Sequence, residues 1–169
     1  MQWPDLSPVL AAVPWAVVGA AATRLYMPER LTQDLDVAVA IQDATAVYQK
    51  LLAVGYTRLN ALSIGGATWR TPNGQMIDII ELDTPWATDA LARARTNLDA
   101  QGLPILPLPY LVLMKFNASR ARDLGDITQM LGLADDVALA QVRRVFHAYA
   151  PEELADLESL ITLGKLETN

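Results

Sequence analysis

Val17-Val18-Gly19-Ala20 closes a short apolar run, and a helix-sized gap separates it from Arg30-Leu31-Thr32-Gln33-Asp34-Leu35-Asp36-Val37-Ala38-Val39, where two aspartates one residue apart open a second apolar run. A strand alternates its faces with period two, so Asp34 and Asp36 are expected on one side, close enough to share a hard divalent cation. Oxygen donors of this kind suit Mg²⁺, or Mn²⁺ in its place, carrying substrate phosphates. Gly19 lets the backbone approach a phosphate, and the helix start after it presents free N–H groups and a positive dipole end.

Outward from that stretch, residues 16–18 read as a short buried strand and 20–26 as a helix stopped by Pro28. Residues 35–41 read as a second strand. Val47, Leu51, Leu52 and Val54 give 43–54 a helical spacing, with Gly55 as its stop. Residues 56–59 form a candidate strand. Thr71-Pro72-Asn73-Gly74 separates two further strands, 67–70 and 76–82, with a hairpin signal. Residues 89–100 are expected to be helical. Three prolines within 102–109 mark a change of character, after which 110–119 (Pro109 at its first position), 123–133, 135–149 and 151–163 all read as helices. The expected class is α+β: one domain with an α/β core over 1–101 and a helical part over 102–169.

The chain has 169 residues, 52% of them hydrophobic, which is enough to bury a core and argues against disorder. No apolar run approaches the roughly 20 residues of a membrane-spanning helix, and the N-terminus lacks the basic start of a signal peptide. A cytoplasmic protein with no membrane partner is the expectation. There is no cysteine, so disulfides and thiolate metal sites are excluded. His147 is the single histidine, and it sits in a helical segment where a structural place is the simpler reading. A net charge of −6 disfavours non-specific nucleic-acid binding, although Arg93 with Arg95, and Lys115 with Arg120 and Arg122, form local basic groups. Trp3, Trp15, Trp69 and Trp86 are expected mostly in the core.

Asp78 interrupts the apolar strand Gln75-Met76-Ile77-Asp78-Ile79-Ile80-Glu81-Leu82. A charge buried there is costly unless it is paired or binds a metal. Asp34, Asp36 and Asp78 together would hold one or two Mg²⁺ ions, with Asp78 the candidate general base. The competing reading pairs Asp78 with Arg70 or Arg30 across the sheet. Glu81 and Asp83 are expected to face solvent. Phosphatases of the haloacid-dehalogenase type and glycosyltransferases also use two aspartates one residue apart, but after an apolar strand. The lead-in here is polar.

Pro28-Glu29-Arg30-Leu31-Thr32-Gln33-Asp34-Leu35-Asp36 resembles the P-x-R-x-T-x-D-[IL]-D segment of the minimal nucleotidyltransferases in the polymerase-beta-like superfamily. The resemblance is closest to the AbiE-type toxin branch and its small relatives. A second stretch, Leu113-Met114-Lys115-Phe116-Asn117-Ala118-Ser119-Arg120-Ala121-Arg122-Asp123-Leu124-Gly125-Asp126, looks like that family's later helical motif. The resemblance spans about residues 15–131. It implies that Asp34, Asp36 and Asp78 are metal ligands and catalytic groups. It further implies that Gly19 and Ala20 lie at the triphosphate, and that Arg30, Thr32, Lys115, Arg122, Asp123 and Asp126 serve nucleotide binding. For Lys115 to Asp126 the alternative is a salt-bridge network joining the helical part to the sheet.

The chain departs from the family at Ala20, where a second glycine or serine is usual, and it lacks a match to the intermediate lysine motif. The implied activity is transfer of a nucleoside monophosphate from a nucleoside triphosphate to a hydroxyl of RNA, protein or a small molecule. An antitoxin or a second copy of the chain is a candidate partner. The alternative is a degenerate nucleotide-binding or protein-interaction module, which the Ala20 departure favours.

Overall fold

The computed structural model describes residues 2–29, 32 and 34–168. Strands β1 (Trp15–Val18), β2 (Leu35–Ala40), β3 (Thr57–Ala61), β4 (Gly66–Arg70) and β5 (Met76–Leu82) form one mixed sheet in the order β1-β2-β5-β4-β3. β2 and β5 run parallel, and the other neighbouring pairs are antiparallel. With helices accounting for much of the rest, the class is α+β, as the sequence pattern implies. The chain divides into two compact units, Met1–Ala21 with Leu31–Leu106, and Ala22–Arg30 with Pro107–Asn169.

The sheet belongs to the first unit, with helices α1 (Ser7–Leu10), α2 (Gly19–Ala22), α3 (Ala44–Ala53) and α4 (Ala87–Ala94) along this part of the chain. β1 is apolar at every position because all four of its residues are buried. The hairpin between β4 and β5 closes at Asn73-Gly74: Gly74 takes φ +85° and its N–H donates to the Thr71 carbonyl at 2.9 Å. α3 stops where Gly55 turns left-handed at φ +86°, with the Tyr56 N–H donating to the Leu51 carbonyl at 3.0 Å. α4 packs on β1 and β2. All four tryptophans are buried, as expected of core residues.

Two segments differ from their sequence reading. The helix expected over 89–100 is α4, which starts earlier and ends at Ala94. Its continuation is lost because Asp99 Oδ1 accepts hydrogen bonds from the N–H groups of Gln101 (2.8 Å) and Leu103 (2.9 Å). Such a local turn competes with helix. The proline-rich stretch is more than a bridge: the Val17 N–H donates to the Pro104 carbonyl at 2.7 Å and the Leu106 N–H to the Val17 carbonyl at 3.0 Å. It thereby covers the outer edge of β1, which would otherwise offer unpaired backbone groups.

The second unit contains α5 (Leu108–Ala118), α6 (Ala121–Leu133), α7 (Asp136–Tyr149) and α8 (Leu154–Thr168). Pro109 sits one residue inside α5, and α8 follows a 3₁₀ turn at Pro151–Glu153. α7 is opened by Asp135, whose carboxylate accepts the Ala138 N–H at 2.7 Å. Phe116 and Phe146 join α5 to α7 edge to face, 5.4 Å apart. α6 and α8 cross at Gly132 and Gly164, where a Cβ on either would run into the other helix's backbone. The Lys165 ammonium donates to the Gly132 and Ala134 carbonyls at 2.9 and 2.6 Å, capping the end of α6. Among the described residues, no helix is long and apolar enough to cross a membrane.

The crossing makes a prediction. Gly132→Ala should destabilise the protein by about 1–3 kcal/mol, because the backbones must separate to admit a methyl group. Gly125→Ala, in the same helix with nothing near its added Cβ, should instead stabilise by about 0.5–1 kcal/mol. Urea unfolding midpoints of the two variants provide the check.

Candidate functional site

The parallel pairing of β2 with β5 sets the geometry. Leu35 faces Ile77, Asp36 faces Asp78 and Val37 faces Ile79 across the two strands. Leu35, Val37, Ile77 and Ile79 are fully buried, so any slip by one residue would drive the aspartates into the core. The antiparallel neighbours extend the row: Val18 pairs with Asp36, and Thr68 pairs with Asp78. Adjacent strands lie about 4.8 Å apart. Two half-buried carboxylates therefore stand side by side on one face of the sheet.

Gly19 follows β1 directly and takes φ +63°. A Cβ built on it would fall on the Asp36 carboxylate. Both the left-handed backbone and the lack of space demand glycine, and the absence of a side chain brings the turn's backbone against Asp36. Ala20 comes next, in the first turn of α2. Asp34 lies exposed just ahead of β2, and the Thr32 hydroxyl reaches its carbonyl at 3.4 Å, a long contact. Arg30 lies outside the described residues, and with it one of the two sequence-suggested partners of Asp78. The other, Arg70, is exposed, and among the described residues no ion pair joins it to Asp78.

Among the described residues, no three of His, Cys, Asp or Glu gather closely enough to hold a metal ion by themselves. Like charges facing each other across neighbouring strands are unfavourable, and a cation between them removes the repulsion.

Glu81 does not face solvent as its place in the sequence suggests. It belongs to the opposite face of β5, where the Tyr48 hydroxyl donates to its Oε1 at 2.5 Å. The Tyr48 ring lies 5.1 Å from that of Trp69, and the Arg58 guanidinium stands 5.1 Å over Tyr48. Burial first, and then the Glu81 carboxylate, push the Tyr48 phenol far above its ordinary value. Asp83 is exposed as expected.

The second sequence motif builds a separate cluster within the helical unit. Ser119 takes a left-handed conformation, φ 50°, ending α5 and turning the chain into α6. Asp123 and Asp126, three residues apart on α6, then share a face. The buried Lys115 ammonium donates to Asp123 Oδ1 at 3.1 Å and Asp126 Oδ2 at 2.7 Å. Arg120 donates to the second oxygen of Asp123 at 2.6 Å. Burial pushes the Asp123 carboxyl up, but the hydrogen bonds from Arg120 and Lys115 outweigh it and hold the group below its ordinary value. Lys115, Asp123 and Asp126 thus form a salt-bridge network, which joins α5 to α6 and not, as the alternative reading had it, the helical part to the sheet. Arg122 and His147 are exposed.

Thr68 was not singled out as a site neighbour from the sequence, and Arg70 was named there only as an ion-pair partner of Asp78. The signal was present in the hairpin, because a turn over Thr71–Gly74 sets Thr68 opposite Asp78.

No protein-family model matches the chain, and no curated protein matches it in sequence. Among solved structures it is similar to the antibiotic-resistance factor ANT(2″)-Ia (TM-score 0.47, 14% identity, 96% of this chain and 90% of that one). It is similar also to the lincosamide antibiotic adenylyltransferase LnuA in its lincomycin-bound form (TM-score 0.45, 12% identity, 83% and 90%). A third likeness is to the Cid1 poly(U) polymerase (TM-score 0.37, 19% identity, 78% of this chain and 44% of that one). At these identities none of them assigns a role to a residue here.

Lys115→Met should leave two buried carboxylates without their shared cation and destabilise the fold by about 3–5 kcal/mol, read by urea unfolding. A lysine serving substrate alone would leave the midpoint in place. Because Asp123 titrates lower folded than unfolded, its contribution is complete above about pH 4 and is lost as pH falls through the depressed value. Asp123→Asn should accordingly flatten the acid limb of the stability profile below about pH 4.

Proposed function

We propose that this chain is a nucleotidyltransferase that moves a nucleoside monophosphate from a nucleoside triphosphate to a hydroxyl acceptor. The in-register pairing of Asp36 with Asp78, beside the side-chain-free turn at Gly19, is the observation that carries the reading. Asp36 and Asp78 would hold the divalent cation, and Asp34, exposed two residues ahead, would have to draw in to serve as the third carboxylate. Bound there, Mg²⁺ would offset the charge of the triphosphate and of the pyrophosphate leaving group.

The chain's own residues then divide the work. Gly19 and Ala20 would lie beside the triphosphate, with the Gly19 backbone packed against the Asp36 carboxylate. Asp78 takes the proton of the acceptor hydroxyl. The acceptor oxygen forms its bond to the α-phosphorus as the α–β bridging bond breaks, and pyrophosphate leaves. Placing two substrates against one carboxylate pair is the main source of rate, since the protein forms no covalent bond itself.

The Pro28–Asp36 spelling supports an AbiE-type, toxin-like branch of this activity, for which an antitoxin or a second copy of the chain would be the protein partner. Lys115 and Arg120 neutralise Asp123 and Asp126 in this reading and hold the helices. Arg122 is an exposed cation of that motif, open to a phosphate.

Calorimetric titration of the four nucleoside triphosphates, with Mg²⁺ and then with chelator, tests the proposal. Metal-dependent binding is expected for the wild type and should be lost in Asp36→Asn and Asp78→Asn, while both variants keep a folded, cooperative thermal transition. Absence of binding in the wild type, or equal binding in the variants, would leave a scaffold whose work lies with protein partners.

A further inference from the structure

We propose that the hollow at the Trp15 end of β1 is a binding site for a small apolar carboxylate, of the size of benzoate, held by Arg95. The site is independent of nucleotidyl transfer, because it lies at the other end of β1 from Gly19. Val18, which pairs with Asp36, is three residues along the strand from Trp15, a span of about 10 Å.

Two stretches of the first unit form the walls. One is the end of α1 and the turn after it, where the Val13 N–H donates to the Leu10 carbonyl at 2.7 Å. The other runs from Arg95, at the end of α4, to Pro104 beside the outer edge of β1. Between them is a hollow of about 230 Å³. Leu10, Trp15 and Pro104 are buried at its floor, and Ala12, Arg95 and Leu98 are exposed at its rim.

The walls are fixed before any ligand arrives. The Ile105 N–H donates to the Asn97 carbonyl at 2.9 Å, and the Asn97 Nδ2 donates to the Ile105 carbonyl at 2.8 Å. Leu98 and Pro104 are bridged within the same turn. Gln101 ties this wall to the N-terminal segment, its Oε1 accepting the Trp3 N–H at 3.3 Å. A ligand therefore has little ordering to bring about, and its affinity is not spent on that cost.

The chemistry of the lining chooses the occupant. An apolar cavity of about 150 Å³ accepts benzene, so this volume accommodates one ring with a substituent. Trp15 offers an aromatic wall, and covering Leu98, which is 48% exposed, removes apolar surface from water. Arg95 is the charged residue among those lining the hollow, in a chain with 19 acids against 13 bases. Among the described residues no ion pair engages it. Asp99, four residues on, uses its Oδ1 to accept the Gln101 and Leu103 N–H groups. A guanidinium at the mouth of an apolar hollow matches a carboxylate with two parallel hydrogen bonds, while the ring fills the floor. A bare phosphate would leave the apolar floor unfilled, and an ammonium would meet Arg95 with like charge.

Amide and indole chemical shifts of ¹⁵N-labelled protein, titrated with benzoate, benzyl alcohol and benzylamine, test the inference. Benzoate should bind with millimolar affinity, as expected of so small a probe. It should move the signals of Leu10, Trp15 and Leu98 equally in Mg²⁺ and in chelator. Benzylamine should bind more weakly than benzyl alcohol. Arg95→Gln should weaken benzoate about 5-fold, the upper range for an exposed ion pair, and leave benzyl alcohol unchanged. Ala12→Phe, at the exposed rim, should block all three probes, and unchanged thermal midpoints show that both variants fold. No shift at these residues in millimolar benzoate, equal affinity for benzoate and benzylamine, or undiminished benzoate binding in either variant overturns the inference. Shifts that gather at Gly19 and Asp36, or that require Mg²⁺, would assign the carboxylate to the sheet site and overturn it as well.

Discussion

Two negative charges standing side by side on neighbouring parallel strands are the constraint from which the first unit's site follows. Asp36 and Asp78 are held in register by the apolar residues that alternate with them, Leu35 and Val37 on one strand and Ile77 and Ile79 on the other. Those residues cannot leave the core, so the carboxylates cannot separate. An arrangement that repels itself persists when the surrounding packing over-determines it, and such stored strain concentrates where a ligand relieves it. Gly19 adds to the same constraint. Its backbone lies so close to the Asp36 carboxylate that no other residue fits.

The helical unit solves the opposite problem. Lys115 is buried, and a lone buried ammonium is costly, so α6 supplies two carboxylates to meet it. The left-handed turn at Ser119 and the three-residue spacing of Asp123 and Asp126 bring both acids to one cation. Around this polar centre the helices close through small contacts: Gly132 against Gly164, Phe116 against Phe146, and Lys165 on the end of α6. In the first unit two acids face each other across neighbouring strands, whereas in the helical unit two acids share a buried lysine. This contrast explains why residues of similar chemistry carry different roles.

Much of the architecture was legible because it is written in local physics. Asn73-Gly74 marks its hairpin, Gly55 its helix stop, and the apolar alternation of β5 its strand, since each depends on a few adjacent residues. The helix after Trp86 was read too long because a local Asx turn at Asp99 competes with it, and because the pairing of residues 104–106 with Val17 involves partners far apart in sequence. Glu81 was misread for the same reason, since its partner Tyr48 lies 33 residues earlier.

The sequence by itself determined that this chain mixes strands and helices, that Gly19 precedes a helix, and that Asp36 and Asp78 each interrupt a strand. Backbone preferences and burial costs act residue by residue, so they can be read one residue at a time. Tertiary structure alone decided that Asp36 faces Asp78, that Thr68 and Arg70 flank the pair, and that Lys115 spends its charge on Asp123 and Asp126. Pairing two strands more than forty residues apart, or closing a salt bridge inside a core, depends on which alternative packs best. That choice is settled by the whole chain at once.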